Sequence, residues 1–231
     1  QFAPRVVALY RQKLMGEAAF VTFNGCPPVP NVFEGKHPLC DSFVAKINST
    51  LKVLPSIKVV AIGGCWNCYF GLETRSVPDF NNFNYVYRAD GVEAYFRRGE
   101  GAALALKSLE TYVGELSKNY TVYLILDNQM ADENDPRQVL RNRFNLSRNE
   151  TTRSVSHLAP EQKALNTTMR GLAERAGARV IDPLAVLCPN DVCPIFSAPG
   201  VPIFKDNHHL RSGFVVEHAT FIDQIQPRES Q

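Results

Sequence analysis

Apolar positions along this chain follow a helical rhythm and a strand rhythm in turn. Val6, Val7, Leu9, Tyr10 and Leu14 recur at helical spacing and predict a helix over 4–15. Ala19-Phe20-Val21-Thr22-Phe23 predicts a short buried strand, stopped by Asn24-Gly25 and Pro27-Pro28. Phe43, Val44, Ile47 and Leu51 fall on one face of a helix over 41–54, with Asp41 as its cap. Lys58-Val59-Val60-Ala61-Ile62 predicts a strand that ends at Gly63-Gly64. Residues 72–98 are polar, aromatic and Asn-rich and predict an ordered loop region. A helix over 100–117 leads into the strand Val122-Tyr123-Leu124-Ile125-Leu126. A charged loop then precedes a helix over 160–176, the short strand Arg179-Val180-Ile181-Asp182 and a last helix over 211–225.

Strands separated by helices of this length predict a parallel sheet with helices on both faces, the doubly wound, flavodoxin-like α/β architecture. Residues 1–231 form a single domain in this reading, with no internal repeat. One feature breaks the pattern. A doubly wound sheet usually opens with a strand whose C-terminal turn carries chemistry, whereas this chain opens with a helix.

Composition narrows the classes. In 231 residues, 45% hydrophobic and 21% charged positions are ordinary for a soluble globular protein. A net charge of +2 gives no footprint for nucleic acid or for an anionic membrane surface. No apolar run approaches the roughly 18 residues of a membrane span, and the N-terminus shows no signal peptide, so an anchor or export signal must lie upstream. The six cysteines fall into three sequence-local pairs, Cys26 with Cys40, Cys65 with Cys68, and Cys188 with Cys193. An even count in short loops suggests disulfides in an oxidising compartment. Five N-x-Ser/Thr sequons begin at Asn48, Asn119, Asn145, Asn149 and Asn166. They matter only in a eukaryotic secreted chain, and Asn-rich sequence produces such triplets by chance.

The chemistry concentrates near the C-terminus, in Asp206-Asn207-His208-His209-Leu210. An Asp and a His three residues apart can form the acid–base half of a hydrolase triad: Asp206 orients and charges the imidazole of His209, which takes a proton from a Ser hydroxyl. His208 would project elsewhere. The bland alternative is a helix N-terminus with a polar cap and a surface His. Cys40-Asp41-Ser42 contains a Ser, but nothing before it reads as a strand, so Ser42 fits the first turn of a helix better than a nucleophile turn. Cys65-Trp66-Asn67-Cys68 after a strand also invites a thioredoxin-like redox reading. A zinc site using cysteines with His37 or His208 is a further alternative, with spacings that fit no common finger.

Several of these pieces together resemble a family. Asp206-Asn207-His208-His209-Leu210 with Gly213 is similar to the terminal Asp-x-x-His block of SGNH hydrolases, in the form found in the domain fused to membrane acyltransferases of family three. Cys26-Pro27-Pro28 with Cys40, Val59 to Trp66 followed by Tyr69, and Leu187-Cys188 to Cys193 resemble further elements of that family, in the same order. The resemblance implies an SGNH-type fold and acyl transfer, acetyl above all, to hydroxyls of a cell-surface polysaccharide. It implies an acyl donor supplied by a membrane domain of the same chain, a periplasmic or extracellular location, and no metal or organic cofactor. The family's Gly-Asp-Ser-His nucleophile block would fall just before Gln1, so the resemblance implies that the first strand and the Ser are missing from these residues. Gly64, Trp66 and Asn67 lie where oxyanion-hole or pocket groups are built, Asn67 by position only. Trp66, Tyr69 and the Phe80–Tyr87 stretch are the aromatic candidates for a surface that faces a sugar, with Trp66 packed under a loop as the competing reading. Simple ester hydrolysis, and a glycan-binding remnant without turnover, remain the competing functions.

Overall fold

The computed structural model describes residues 1–35, 38–71, 85–137 and 155–226. Its elements are α1 (Ala3–Arg11), β1 (Val32–Glu34), α2 (Phe43–Val53), β2 (Val59–Gly63), α3 (Trp66–Phe70), β3 (Tyr85–Ala89), β4 (Val92–Tyr95), α4 (Glu100–Ser117), β5 (Thr121–Ile125), β6 (Val155–His157), α5 (Pro160–Arg175), β7 (Arg179–Ile181), α6 (Leu184–Leu187), β8 (Val192–Pro194), β9 (Phe196–Ala198), β10 (Val201–Pro202) and α7 (Ser212–His218). Contacts divide the chain into two compact units. One comprises Gln1–Ala18, Asn128–Lys163 and Asp182–Gln224; the other comprises Ala19–Asp127, Ala164–Ile181 and Ile225–Gln231.

The larger unit is built on a parallel sheet in the order β2-β5-β7, with Val59 opposite Thr121 and Tyr123 opposite Arg179. All five residues of β5 are buried, which requires cover on both faces of the strand. Val122 and Leu124 join Ile62 beneath Ala105, Leu109, Val113 and Leu116 of α4 and Met169, Leu172 and Ala173 of α5. The spacing of those α4 residues, four, four and three apart, is why this sequence forms a helix with one face inward. The mixed α/β architecture with a parallel sheet and flanking helices is therefore present.

Three expectations change. Residues 19–23 form no strand: they are largely exposed, with Phe20 at 51%. A strand needs a neighbour, and among the described residues nothing pairs with the free edge of β2 or with this segment. The 72–98 region is not all loop. Residues 72–84 lie outside the described residues, but β3 and β4 form an antiparallel hairpin that β1 extends to three strands. Its turn is Asp90-Gly91, both at positive φ (52° and 78°), the two-residue geometry that suits a hairpin's twist. The last helix stops at His218 and continues only as a 3-10 turn over Thr220–Gln224. Smaller shifts occur at ends: α1 closes at Arg11, before the exposed Leu14, and α2 has Ser42 at its N-cap without a side-chain cap bond.

All three cysteine pairs are disulfides. Cys26–Cys40 sits with Phe43 in a small satellite core that ties the Gly25 turn to α2. In the smaller unit, Cys188–Cys193 closes a turn in which Asn190 and Asp191 are left-handed. There Arg5 of α1 forks onto the carboxylate of Asp223 and donates to the Val216 carbonyl at 2.6 Å, while Phe2 meets the Phe221 ring edge-on.

Helix α4 starts against β4 at Gly101, where a Cβ would run into the Ala94 carbonyl oxygen. Backbone cannot yield as a side-chain tip does, so Gly101→Ala should cost on the order of 1–3 kcal/mol in a urea unfolding titration.

Candidate active site

The Asp206 loop is a closed structure rather than a helix cap. Phe204 and Leu210 form an antiparallel bridge, and the Lys205 N–H donates to the His209 carbonyl at 2.9 Å, so the chain returns on itself within five residues. Inside this loop Asp206 Oδ1 accepts the backbone N–H of His208 at 3.1 Å and of His209 at 2.7 Å. Its other oxygen lies 2.8 Å from His209 Nδ1. That places a proton on Nδ1 and leaves Nε2 as the basic nitrogen. His209 is 42% exposed at its side chain, and its Nε2 has no hydrogen bond among the described residues. Burial works against ionising Asp206, but the N–H groups of His209 and His208 and the His209 ring outweigh it and hold the carboxyl below its usual range.

His208 does not project away. Its ring centroid lies 3.8 Å from that of His209, and its Nδ1 is 2.7 Å from Asn207 Oδ1. Burial, followed by the nearby His209 charge, lowers its pKa to about 4, so it stays neutral at ordinary pH and lends no charge to its neighbour. Asp206, His208 and His209 offer three possible ligand atoms within 4.8 Å of one another. The carboxylate is already committed to two N–H groups and a ring nitrogen, the pattern of an oriented acid–base pair. Cys65 and Cys68 are joined to each other, so neither is a thiolate ligand, and His37 lies outside the described residues.

The loop is fixed from the segment that follows β5. Asn128 Nδ2 donates to the His208 carbonyl at 2.8 Å, and Asn134 Nδ2 and the Ala131 N–H donate to the Asn207 carbonyl at 3.1 and 3.0 Å. Asn128 and Asn134 are buried, and Gln162 Nε2 holds the Asn128 carbonyl at 2.7 Å. Sequence reasoning passed over this stretch as a charged loop. Its signal is Asp127-Asn128-Gln129 directly after an apolar strand, three polar residues in a row where the chain is still buried.

In the larger unit, the turn after β2 holds the other candidates. Gly64 is required there: a Cβ would lie 2.9 Å from the Tyr69 ring. Trp66 is fully buried, donates to the Ile125 carbonyl at 2.7 Å and packs on Phe70, so it offers no face to a sugar or an acyl chain. Asn67 donates both its backbone N–H (2.5 Å) and its amide (2.9 Å) to Asp127. The orientation of that amide is set by Asp127 rather than by a reacting carbonyl. Tyr69 is mostly enclosed by Trp66 and Tyr85, and burial raises its phenol to about 12. Tyr85 is buried with its hydroxyl on the Gly25 carbonyl, and residues 80–84 lie outside the described residues. Ser42 donates to the Leu39 carbonyl at 3.1 Å in the turn that begins α2. Of the sequons, Asn166 is buried with its amide on the Asp127 carbonyl and so is no acceptor, and Asn145 and Asn149 lie outside the described residues.

Asp127 itself was not anticipated. Burial pushes its carboxyl up to about 7 against the N–H groups of Asn67 and Trp66, which favour the charged form. A carboxyl with a folded pKa near 7 and an unfolded value near 3.8 loses stability as pH rises between them, because the unfolded chain ionises first. Urea midpoints should therefore favour the wild type over Asp127→Asn increasingly as pH is lowered from about 7 to about 4; a difference constant with pH would contradict the assignment.

No curated protein matches the sequence. Among solved structures, the chain is similar to the periplasmic domain of a lipopolysaccharide acetyltransferase from Salmonella ser. Paratyphi A. The TM-score is 0.64 at 13% identity, over 96% of this chain and 77% of that one. At that identity the likeness establishes the fold. The family model for the SGNH domain fused to AT3 domains matches residues 7–213, most of the chain, Asp206 and His209 included. The chain accordingly belongs to the family of SGNH domains that are fused to AT3 membrane acyltransferase domains.

Proposed function

We propose that this domain transfers an acyl group, acetyl by preference, to a hydroxyl of a cell-surface polysaccharide. The observation that carries the reading is the 2.8 Å contact between Asp206 and His209 Nδ1, with Nε2 left open on a half-exposed ring. An imidazole so oriented serves a nucleophile as base and a departing group as acid. Family membership supports an acyl donor supplied by an AT3 domain of the same chain. The similar Salmonella domain is described as periplasmic and as part of a lipopolysaccharide acetyltransferase. That description, with three disulfides, supports the periplasmic or extracellular side of a membrane for this domain too.

The nucleophile in this proposal is a Ser upstream of Gln1, at the end of a strand that pairs with the free edge of β2. That edge is suited to it: Ala61 and Gly63 are exposed although they sit in a parallel sheet, which normally has both faces and its inner strands covered. The Ser attacks the acyl carbonyl while His209 takes its proton, and Asp206 stabilises the imidazolium. The sugar hydroxyl then attacks the acyl-enzyme, with His209 as base again. Backbone N–H groups at the nucleophile turn stabilise the oxyanion. The Asn67 N–H groups, engaged by Asp127, are not assigned this role.

In the full-length protein, His209→Ala should lower acetyl transfer by about 10²–10⁴-fold while the circular dichroism spectrum is unchanged. Asp206→Asn should show a loss in the same direction, since the ring is then held in the wrong tautomer. Unchanged transfer by His209→Ala would remove the assignment. Release of free acetate with no acetylated sugar would make the domain a hydrolase, and a full-length sequence with no Gly-Asp-Ser ahead of Gln1 would leave it a binding domain.

A further inference from the structure

Three disulfides occur in this chain, and they are not alike. Cys26, Cys40, Cys188 and Cys193 are between 1% and 6% exposed, inside the turns they close. Cys65 and Cys68 are both partly exposed. The bridge between them closes the shortest loop of the three, with a sequence separation of 3 against 14 and 5. A short loop restricts the unfolded chain least, so this bridge contributes least to stability through chain entropy. Its position is also different. It spans the connection from a buried parallel strand, β2, into α3, with the two residues between the cysteines held from beneath by one buried carboxyl, Asp127.

We propose that Cys65 and Cys68 form a thiol–disulfide exchange site whose co-reactant is a vicinal dithiol. A thiolate of the co-reactant attacks one of the two Sγ atoms, forming a mixed disulfide and breaking the Cys65–Cys68 bond. The displaced sulfur leaves as a thiolate and takes up a proton. The second thiol of the co-reactant loses its proton and attacks the mixed disulfide on the co-reactant's own sulfur. The remaining cysteine is released as a thiolate and protonated. The dithiol is oxidised to a disulfide, the protein pair is reduced to two thiols, and two protons pass with the two electrons. Partial exposure makes such a bridge accessible to attack, whereas buried bridges resist it.

Asp127 supports this assignment as a positioning residue. Its bonds to the backbone N–H groups of Asn67 and Trp66 and to the Asn67 amide use neither sulfur, so opening the bridge need not unravel α3. The exchange site needs neither Asp206 nor His209, so it stands or falls separately from acyl transfer.

The test is differential alkylation of the full-length protein equilibrated with graded ratios of reduced and oxidised dithiothreitol. Mass spectrometry reads each cysteine pair, and circular dichroism is recorded in parallel. Cys65 and Cys68 should become alkylated at a reductant ratio at least about tenfold lower than either other pair, with the spectrum unchanged and the bridge re-formed by oxidised reagent. Opening of all three bridges together, or opening only after the helical signal is lost, overturns the proposal. As a second readout, Cys65→Ser/Cys68→Ser should abolish catalysed exchange with a model disulfide. Exchange retained in that variant would equally refute the site, and if it fails to fold the alkylation series on the native protein decides alone.

Discussion

Strand β5 must have every backbone group paired and every side chain covered, and this constraint organises the larger unit. Five buried residues in a row leave no route to solvent, so β2 and β7 supply the hydrogen bonds, and α4 and α5 supply apolar cover on the Leu124 face. The chain then leaves the strand still buried, as Asp127-Asn128-Gln129. Polar side chains in that position are costly unless bonded. Two of them are bonded to distant backbone: Asp127 takes the N–H groups at the start of α3, and Asn128 takes the carbonyl of His208. Satisfying the strand's exit thus holds the backbone at the start of α3 and, separately, the backbone at His208.

The Asp206–His209 pair is oriented by few interactions once its backbone is held. One bridge between Phe204 and Leu210 closes the loop, and three donors from residues 128–134 grip its outer carbonyls. Among the described residues Asp206 has local hydrogen-bond partners, two N–H groups and one ring within three residues. The neutral His208 packed on the ring adds bulk without charge. This arrangement suits a base that becomes positively charged only during the reaction.

Local signals in the sequence marked many elements but not all. The α4 repeat, the Val-Tyr-Leu-Ile run and the Asp-x-x-His spacing state their purpose within a few residues. The Asp90-Gly91 turn between Val86-Tyr87 and Val92 was an equally local hairpin signal, obscured by the Asn-rich residues before it. Three-residue strands such as β1, β6 and β8 carry too few positions for alternation to show, and they exist because a partner strand is present to receive them. The converse case is 19–23, apolar enough for a strand but without a partner among the described residues, and left exposed.

The sequence alone determined the α/β class and the pairing of cysteines by proximity, and it singled out Asp206 and His209 as neighbours in a short spacing. These rest on periodicity and short spacing, which survive any arrangement of the rest of the chain. Tertiary structure alone decided what each remaining side chain faces. Trp66 and Asn67 stand side by side in a turn that reads as a site, yet one is packed into the core and the other is turned onto Asp127, 60 residues away in sequence. The separation of one accessible disulfide from two buried ones was likewise invisible in a cysteine count. Burial is a property of what surrounds a residue, and long-range packing sets it.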